Sequence, residues 1–296
     1  MTGRGSAGLI VEVTHDPAAV PGSGYGLVTL VTDYGPSGGF VGALHAVIDA
    51  ILAEHGRNDV RIVDLDHSIP PQDVLLGALR MERMQRYVRA GVHVGVVDPG
   101  VGTSRRALAI AAGASVLVGP DNGLLLFAAE AAGGTEQVVS LERHGLDHPA
   151  ATFDGRDLFA PAAAHLAAGM ALAELGPTLD PDTLVRIERP APQQLEGGEL
   201  GLLVVQIDGF GNVQFAAGAE VLGNLGGLGV LLELSAGEHR LAVPARRTFG
   251  DVAPGQPVLL VDSDGCLALS VNRGRADRLL GGLHARDVVR LAPWGD

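Results

Sequence analysis

Short apolar runs alternate with amphipathic stretches over the first part of the chain. Leu27 to Val31 is strand-like, Phe40 to Glu54 repeats its apolar positions at helical spacing, Val60 to Leu65 is strand-like again, and Asp73 to Val88 helical again. Further apolar runs at Val92 to Val97, Leu108 to Ala111, Val116 to Val118 and Val138 to Leu141 are interleaved with helix-like stretches at Leu124 to Ala131 and Leu158 to Ala168. Strands alternating with helices predict an α/β fold in which a mainly parallel sheet is flanked by helices.

After Gly176-Pro177 the pattern changes. Short β-rich runs recur at Leu202 to Ile207, Val230 to Leu234, His239 to Val243, Pro257 to Val261, Leu267 to Val271 and Val288 to Leu291, with glycine-rich turns and little helix. This predicts a C-terminal antiparallel β-barrel-like domain. The polar, proline-bearing stretch Arg189-Pro190-Ala191-Pro192-Gln193-Gln194 reads as the connector. The expected divisions are a loosely ordered extension over 1–26 with one short strand at Leu9 to Val13, an α/β domain over 27–188, a linker over 189–199 and a β-rich domain over 200–296. Gly223 to Gly229 reads as a loop.

Composition narrows the chemistry. The formal net charge of −13 disfavours a nucleic-acid partner and favours a cationic ligand through long-range attraction. Every basic residue is arginine, which excludes a Schiff-base or P-loop lysine. The single cysteine, Cys266, rules out an intramolecular disulfide and a cysteine-based zinc cluster. No apolar run reaches membrane-spanning length and no secretory leader is evident, so no membrane partner and a cytoplasmic location are expected.

The most informative segment is Val96-Val97-Asp98-Pro99-Gly100-Val101-Gly102-Thr103, followed by Ser104-Arg105-Arg106. It presents a carboxylate on a sharp turn directly after an apolar run. Pro99 fixes the backbone, and Gly100 and Gly102 allow conformations closed to other residues. Arg105 can fold back onto Asp98 and hold it ionised and fixed in direction, although a structural Asp-Pro turn with an ion pair reads equally well.

Other signals mislead. Gly35-Pro36-Ser37-Gly38-Gly39 matches a G-x-S-x-G nucleophile elbow, yet little folded chain precedes Ser37 to supply an oxyanion hole. The same glycines do not have dinucleotide-binding spacing. Asp262-Ser263-Asp264-Gly265 lacks the later ligands of a calcium loop and reads as a hairpin turn. His144 and His148 have a ligand-like spacing, but Gly145 and Pro149 argue against a helix there; they and His45, His67 and His93 read as scattered imidazoles, with no metal site.

Five segments stand out together: Thr32-Asp33-Tyr34-Gly35, Val97-Asp98-Pro99-Gly100-Val101-Gly102, Gly119-Pro120-Asp121-Asn122-Gly123, Thr152-Phe153-Asp154-Gly155-Arg156-Asp157 and Ile207-Asp208-Gly209-Phe210-Gly211-Asn212. Most place Asp or Asn in a loop after an apolar run, where open α/β sheets bind ligands. In this order, and completed by Leu269-Ser270-Val271-Asn272-Arg273-Gly274, they resemble the S-adenosylmethionine hydroxide adenosyltransferase family, relatives of the fluorinating and chlorinating enzymes that act on the same substrate. The resemblance spans about residues 27 to 292.

The resemblance implies water attack at ribose C5′ of S-adenosyl-L-methionine, releasing adenosine and L-methionine without a cofactor or metal. It also implies a homotrimer with active sites between the N-terminal domain of one subunit and the C-terminal domain of its neighbour. By position, Asp33 would accept from the ribose hydroxyls, or instead cap the helix at Phe40. Asp208 would hold the methionine ammonium and Ser263 its carboxylate, unless both are ordinary turn residues. Asn212 would read the adenine edge, Phe210 and Phe249 would pack on its ring or serve as core, and the backbone around Arg275 would also meet adenine. Asp98 and Arg105 match the water site. Asp154 stands where the family usually has histidine, so two carboxylates would share one arginine, raising one pKa and leaving an acceptor for the water proton. The resemblance leaves open two other readings, a halide-using enzyme and a non-catalytic binder of adenosine or S-adenosylmethionine. An anion at Asp98 would repel a halide, which favours hydrolysis.

Overall fold

The computed structural model describes residues 24–142, 144–147 and 150–295. The strand expected at Leu9 to Val13 and the residue His148 lie outside them. The chain divides into two compact units between Ile187 and Glu188.

In the first unit, strands β1 (Leu27–Thr32), β2 (Arg61–Asp66), β3 (Val92–Val96), β4 (Ala107–Ala112), β5 (Ser115–Pro120) and β6 (Thr135–Ser140) form one sheet in the order β2-β1-β3-β5-β4-β6. The pairings β1–β2, β1–β3 and β3–β5 are parallel, whereas β4 pairs antiparallel with β5 and β6. The helices are α1 (Phe40–Glu54), α2 (Val74–Met84), α3 (Leu126–Ala131) and α4 (Ala160–Ala168). Val28 and Leu30 of β1, Val92 and Val94 of β3, and Leu44, Ile48 and Leu52 of α1 share one core with Phe159 and the alanines of α4. Strands buried on both faces read as unbroken apolar runs, which is why β1 and β3 were legible.

α2 is shorter than its periodicity suggests. Asp73 caps it, accepting from Leu76 N at 3.0 Å, and it ends at Met84 although apolar spacing continues to Val88. The helical run from Leu158 is preceded by a π-helical turn, Gly155–Phe159, which leads directly into α4. Such turns recur at functional sites.

In the second unit, β7 (Gln193–Gln194), β8 (Leu200–Ile207), β9 (Val213–Gly218), α5 (Ala219–Asn224), β10 (Leu231–Ala236), β11 (His239–Pro244), β12 (Pro257–Val261), β13 (Cys266–Val271) and β14 (Val288–Pro293) follow in order. The sheet runs β11-β10-β14-β8-β9-β13-β12, with every named pairing antiparallel, and a bridge between Ala245 and Leu259 brings its two ends together. The result is a nearly closed barrel around Leu202, Val204, Phe215, Leu232, Leu234, Leu269 and Leu291. The expected linker is partly structured, because β7 pairs with β8. β9 and α5 are absent from the sequence reading. The run Val213–Gly218 is diluted by glutamine and alanine, and α5 takes in Gly223 and Asn224, so the stretch read as a loop over Gly223 to Gly229 begins as the end of a helix.

Candidate active site

The carboxyl ends of β1 and β3 carry most of the first unit's candidate chemistry. Beyond β3 the chain passes through Val97 to Asp98 and turns. Gly100 N donates to Asp98 Oδ1 at 3.2 Å, the Thr103 hydroxyl donates to Gly100 O at 2.7 Å, and Arg105 N donates back to Thr103 Oγ1 at 3.2 Å. These bonds fold the loop so that Arg105 returns to Asp98. Of the two glycines expected to need special conformations, only Gly102, with φ 78°, takes a left-handed one. Asn122 braces the same turn, donating through Nδ2 to Val97 O at 2.8 Å and accepting from Leu124 N at 3.1 Å.

Arg105 binds two carboxylates at once. Its Nε lies 3.1 Å from Asp98 Oδ1, its Nη2 2.5 Å from Asp98 Oδ2, and the same Nη2 2.5 Å from Asp154 Oδ2. Arg105 Nη1 donates to Arg106 O, and the guanidinium lies 5.4 Å from the centre of the Phe159 ring. The Asp98 and Arg105 side chains are only 6% and 8% exposed, against 26% for Asp154, so the open side of the cluster is the Asp154 side. Burial pushes the Asp98 carboxyl above the usual carboxylate range; Arg105 and the Gly100 N–H oppose this, and neighbouring Asp154 adds to it. The cluster therefore holds a carboxylate that is fixed in direction yet a better proton acceptor than one on the surface.

Asp33 does not cap α1. That helix begins after Gly39, whose φ is 77°, with no side-chain cap, and Asp33 Oδ2 instead accepts from Gln72 N at 2.9 Å, fastening the loop before α2. Ser37 is exposed in the connection from β1 to α1, with no histidine bonded to it among the described residues. Three aromatic rings pack on one another beside the loops that carry Asp33 and Asp154: Tyr34 lies 5.6 Å from both Phe40 and Phe153, which are 5.3 Å from each other. These rings were not singled out from the sequence. The signal was available, because Tyr34 and Phe153 directly adjoin the candidate acids Asp33 and Asp154 in a chain with only 4% aromatic residues.

Two other motif acids are structural. Asp121, nearly inaccessible, accepts from Arg106 Nε at 2.7 Å and from Val185 N at 2.9 Å. Asp157 is buried against Arg156 and Ala150 N.

In the second unit, Asp208, Phe210, Asn212, Phe249, Val271, Arg273, Gly274 and Arg275 line a cavity of about 710 Å³. The loop between β8 and β9 builds one wall. Asp208 Oδ1 accepts from Phe210 N and Asn212 N, both at 2.9 Å, and its Oδ2 accepts from Asn212 Nδ2 at 2.7 Å. Arg275 reaches Gly209 O at 3.0 Å and pairs with Asp277 at 2.8 Å. Phe210 is 80% exposed and Phe249 44%, which sets both apart from core packing. Val271, Arg273 and Gly274, quoted in the Leu269-to-Gly274 segment but given no role there, also line the cavity. Ser263 is exposed in the turn between β12 and β13, outside the residues lining this cavity, and its neighbour Asp262 accepts from Asp264 N and Cys266 N as a hairpin turn requires.

The histidines are less scattered than expected. His45 and His67 both approach Asp64 Oδ1, at 2.7 and 3.1 Å, while His165 lies between His55 and His144 with ring centres 5.4 and 5.3 Å away. Among the described residues no group of three His, Cys, Asp or Glu side chains is placed to hold a metal ion, and no helix is long and apolar enough to cross a membrane.

Residues 28–176 match the model of the SAM hydroxide adenosyltransferase N-terminal domain, and residues 202–290 that of the C-terminal domain. The chain is 45% identical over 257 residues to an (R)-S-adenosyl-L-methionine hydrolase of Salinispora tropica, covering 86% of this chain and 93% of that protein. It is 40% identical to one of Thermus thermophilus, over 86% of this chain and 95% of that protein. A fluorinase of Actinoplanes sp. is more distant, 29% identical over 86% of this chain and 93% of its own. Among solved structures, an uncharacterized conserved protein from Thermotoga maritima superposes with a TM-score of 0.80 at 29% identity, covering 90% of this chain and 99% of that one.

Proposed function

From its membership of the SAM hydroxide adenosyltransferase family, to which this chain belongs over both of its units, we propose that it hydrolyses S-adenosyl-L-methionine to adenosine and L-methionine. The observation that carries the reading is the clamp of Arg105 on Asp98 and Asp154 at the carboxyl end of β3. A sulfonium departs as a neutral thioether, so the reaction asks only for an oriented, partly desolvated water and a proton acceptor. The water oxygen forms a bond to C5′, the C5′–S bond breaks with its electron pair going to sulfur, and the water proton passes to the Asp98 carboxylate. The raised proton affinity of Asp98 suits that role.

Asp33 keeps one oxygen for the ribose hydroxyls while the other is tied to Gln72 N. Asp208 takes the methionine ammonium and Ser263 the methionine carboxylate. Asn212 reads the adenine edge, Phe210 and Phe249 sandwich its ring, and the backbone at Arg275 completes the contact, in keeping with the cavity that Asp208, Phe210, Asn212, Phe249 and Arg275 line. The active molecule is a homotrimer in the cytoplasm, each site combining the N-terminal residues of one subunit with the C-terminal residues of its neighbour. The protein's acidic charge suits a cationic substrate.

Purified protein given S-adenosyl-L-methionine should release adenosine and methionine in equal amounts, and Asp98→Ala should abolish the release. Adding chloride or fluoride should yield no 5′-halogenated nucleoside, since two carboxylates face the attacking position. Tight substrate binding without turnover over hours would instead make the protein a binder.

A further inference from the structure

The hydrogen-bond accounting of the Arg105 clamp leaves a gap that one nearby group fills. Arg105 has five N–H donors. Nε and Nη2 serve Asp98, Nη2 also serves Asp154, and one Nη1 hydrogen goes to Arg106 O, so the guanidinium is almost fully committed to holding its neighbours. Asp98 and Asp154, as carboxylates, offer only acceptors. A water seated between them can give both of its hydrogens away, yet it finds hardly a donor to fix the lone pair that does not attack.

Tyr34 comes to the edge of this cluster. Its ring is held at the angles and distances of the Phe40 and Phe153 packing, and its hydroxyl lies against Gly155, the residue after Asp154, so closely that a Cβ there would collide with it. Only glycine at 155, the first residue of the π-helical turn, leaves room for the phenol. Among the described residues the hydroxyl has no protein hydrogen-bond partner; the residue is half-buried, and Asp33, Asp98, Asp154 and Arg105 are near enough to act on it electrostatically. Burial and those three carboxylates raise the phenol's pKa well above its ordinary value, so it keeps its proton throughout the working range.

We propose that the Tyr34 hydroxyl is a catalytic group that donates a hydrogen bond to the attacking water, aligning the water's other lone pair with C5′ while Asp98 and Asp154 accept its hydrogens. This rests on the hydrolytic reading above. Tyr34 gains and loses no proton in the step. The proton leaves through Asp98, and Tyr34 contributes direction only.

Tyr34→Phe removes the oxygen and keeps the ring. The experiment compares its kcat and KM for S-adenosyl-L-methionine with those of the unaltered protein, whose own release of adenosine and methionine tests the hydrolytic reading separately. A kcat reduced about tenfold or more, with KM within about twofold, is the expected result, the size of one lost hydrogen bond in a buried site. Unchanged kcat in an active protein overturns the assignment while leaving the hydrolytic reading intact; a raised KM with unchanged kcat assigns Tyr34 to substrate binding and overturns it equally. A second measurement covers the case in which the Phe variant folds poorly. A multiply fluorinated tyrosine at position 34 brings the phenol's pKa down into the working range and should introduce an alkaline fall of the rate that the unaltered protein lacks, and a rate with an unchanged alkaline profile overturns the proposal.

Discussion

Asp98 carries two opposed pH dependences. As proton acceptor it must be ionised, so activity falls as pH drops through its pKa, and because burial raises that pKa the fall begins at higher pH than for a surface carboxylate. Its effect on stability runs the other way. A carboxyl that binds its proton more tightly folded than unfolded contributes most below the unfolded pKa, and that contribution is lost as pH rises through the folded one. Asp98→Asn should therefore be inactive at neutral pH yet melt no lower than the unaltered protein, since Arg105 keeps Asp154 as a partner. A calorimetric scan beside a product assay checks both, and a large drop in melting temperature would contradict the assigned balance. The sequence made Asp98 and Arg105 legible because their turn signals are local. The role of Asp33 as anchor for Gln72 was not legible, because that bond spans 39 positions.

At the scale of the element, β3 links core and site. Its His93 is a core imidazole, held by Thr29 Oγ1 at 2.9 Å and Ser115 Oγ at 3.2 Å, and burial pushes its pKa down to about 4. The unfolded chain takes up this proton near pH 6.5 whereas the folded one resists it to about 4, so stability present above the unfolded pKa is lost as pH falls across that window. Denaturant midpoints measured between pH 7 and 4 should decline, and the decline should flatten in His93→Gln; an equal slope in both would contradict this. β1, α1 and β3 could be read from sequence because their apolar spacing matches one element type over its length. β9 could not, since Gln214 and Ala216 break the apolar run and its register depends on pairing with β8 and β13. The π-helical turn after Asp154 has no periodic signature at all, yet it sets where Asp154 and Gly155 stand.

For the whole molecule, each unit holds only part of the chemistry: the carboxylate–arginine cluster with Asp33 in the first, and the aromatic-walled cavity in the second. If the proposed trimer forms, sedimentation should give three times the 30.3 kDa chain mass. A monomer with full activity would contradict shared sites. The ordered motifs made the family readable from the sequence, whereas the lining by Val271 and Arg273 arises only when the barrel strands come together. The central claim, that a water held by the Asp98 and Asp154 carboxylates that Arg105 clamps attacks C5′, is tested most directly by turnover in oxygen-18 water with mass analysis of both products. The account predicts one heavy oxygen in adenosine, at the 5′ position, and none gained by methionine; unlabelled adenosine, or label appearing on the amino-acid fragment with methylthioadenosine as the nucleoside product, would contradict it.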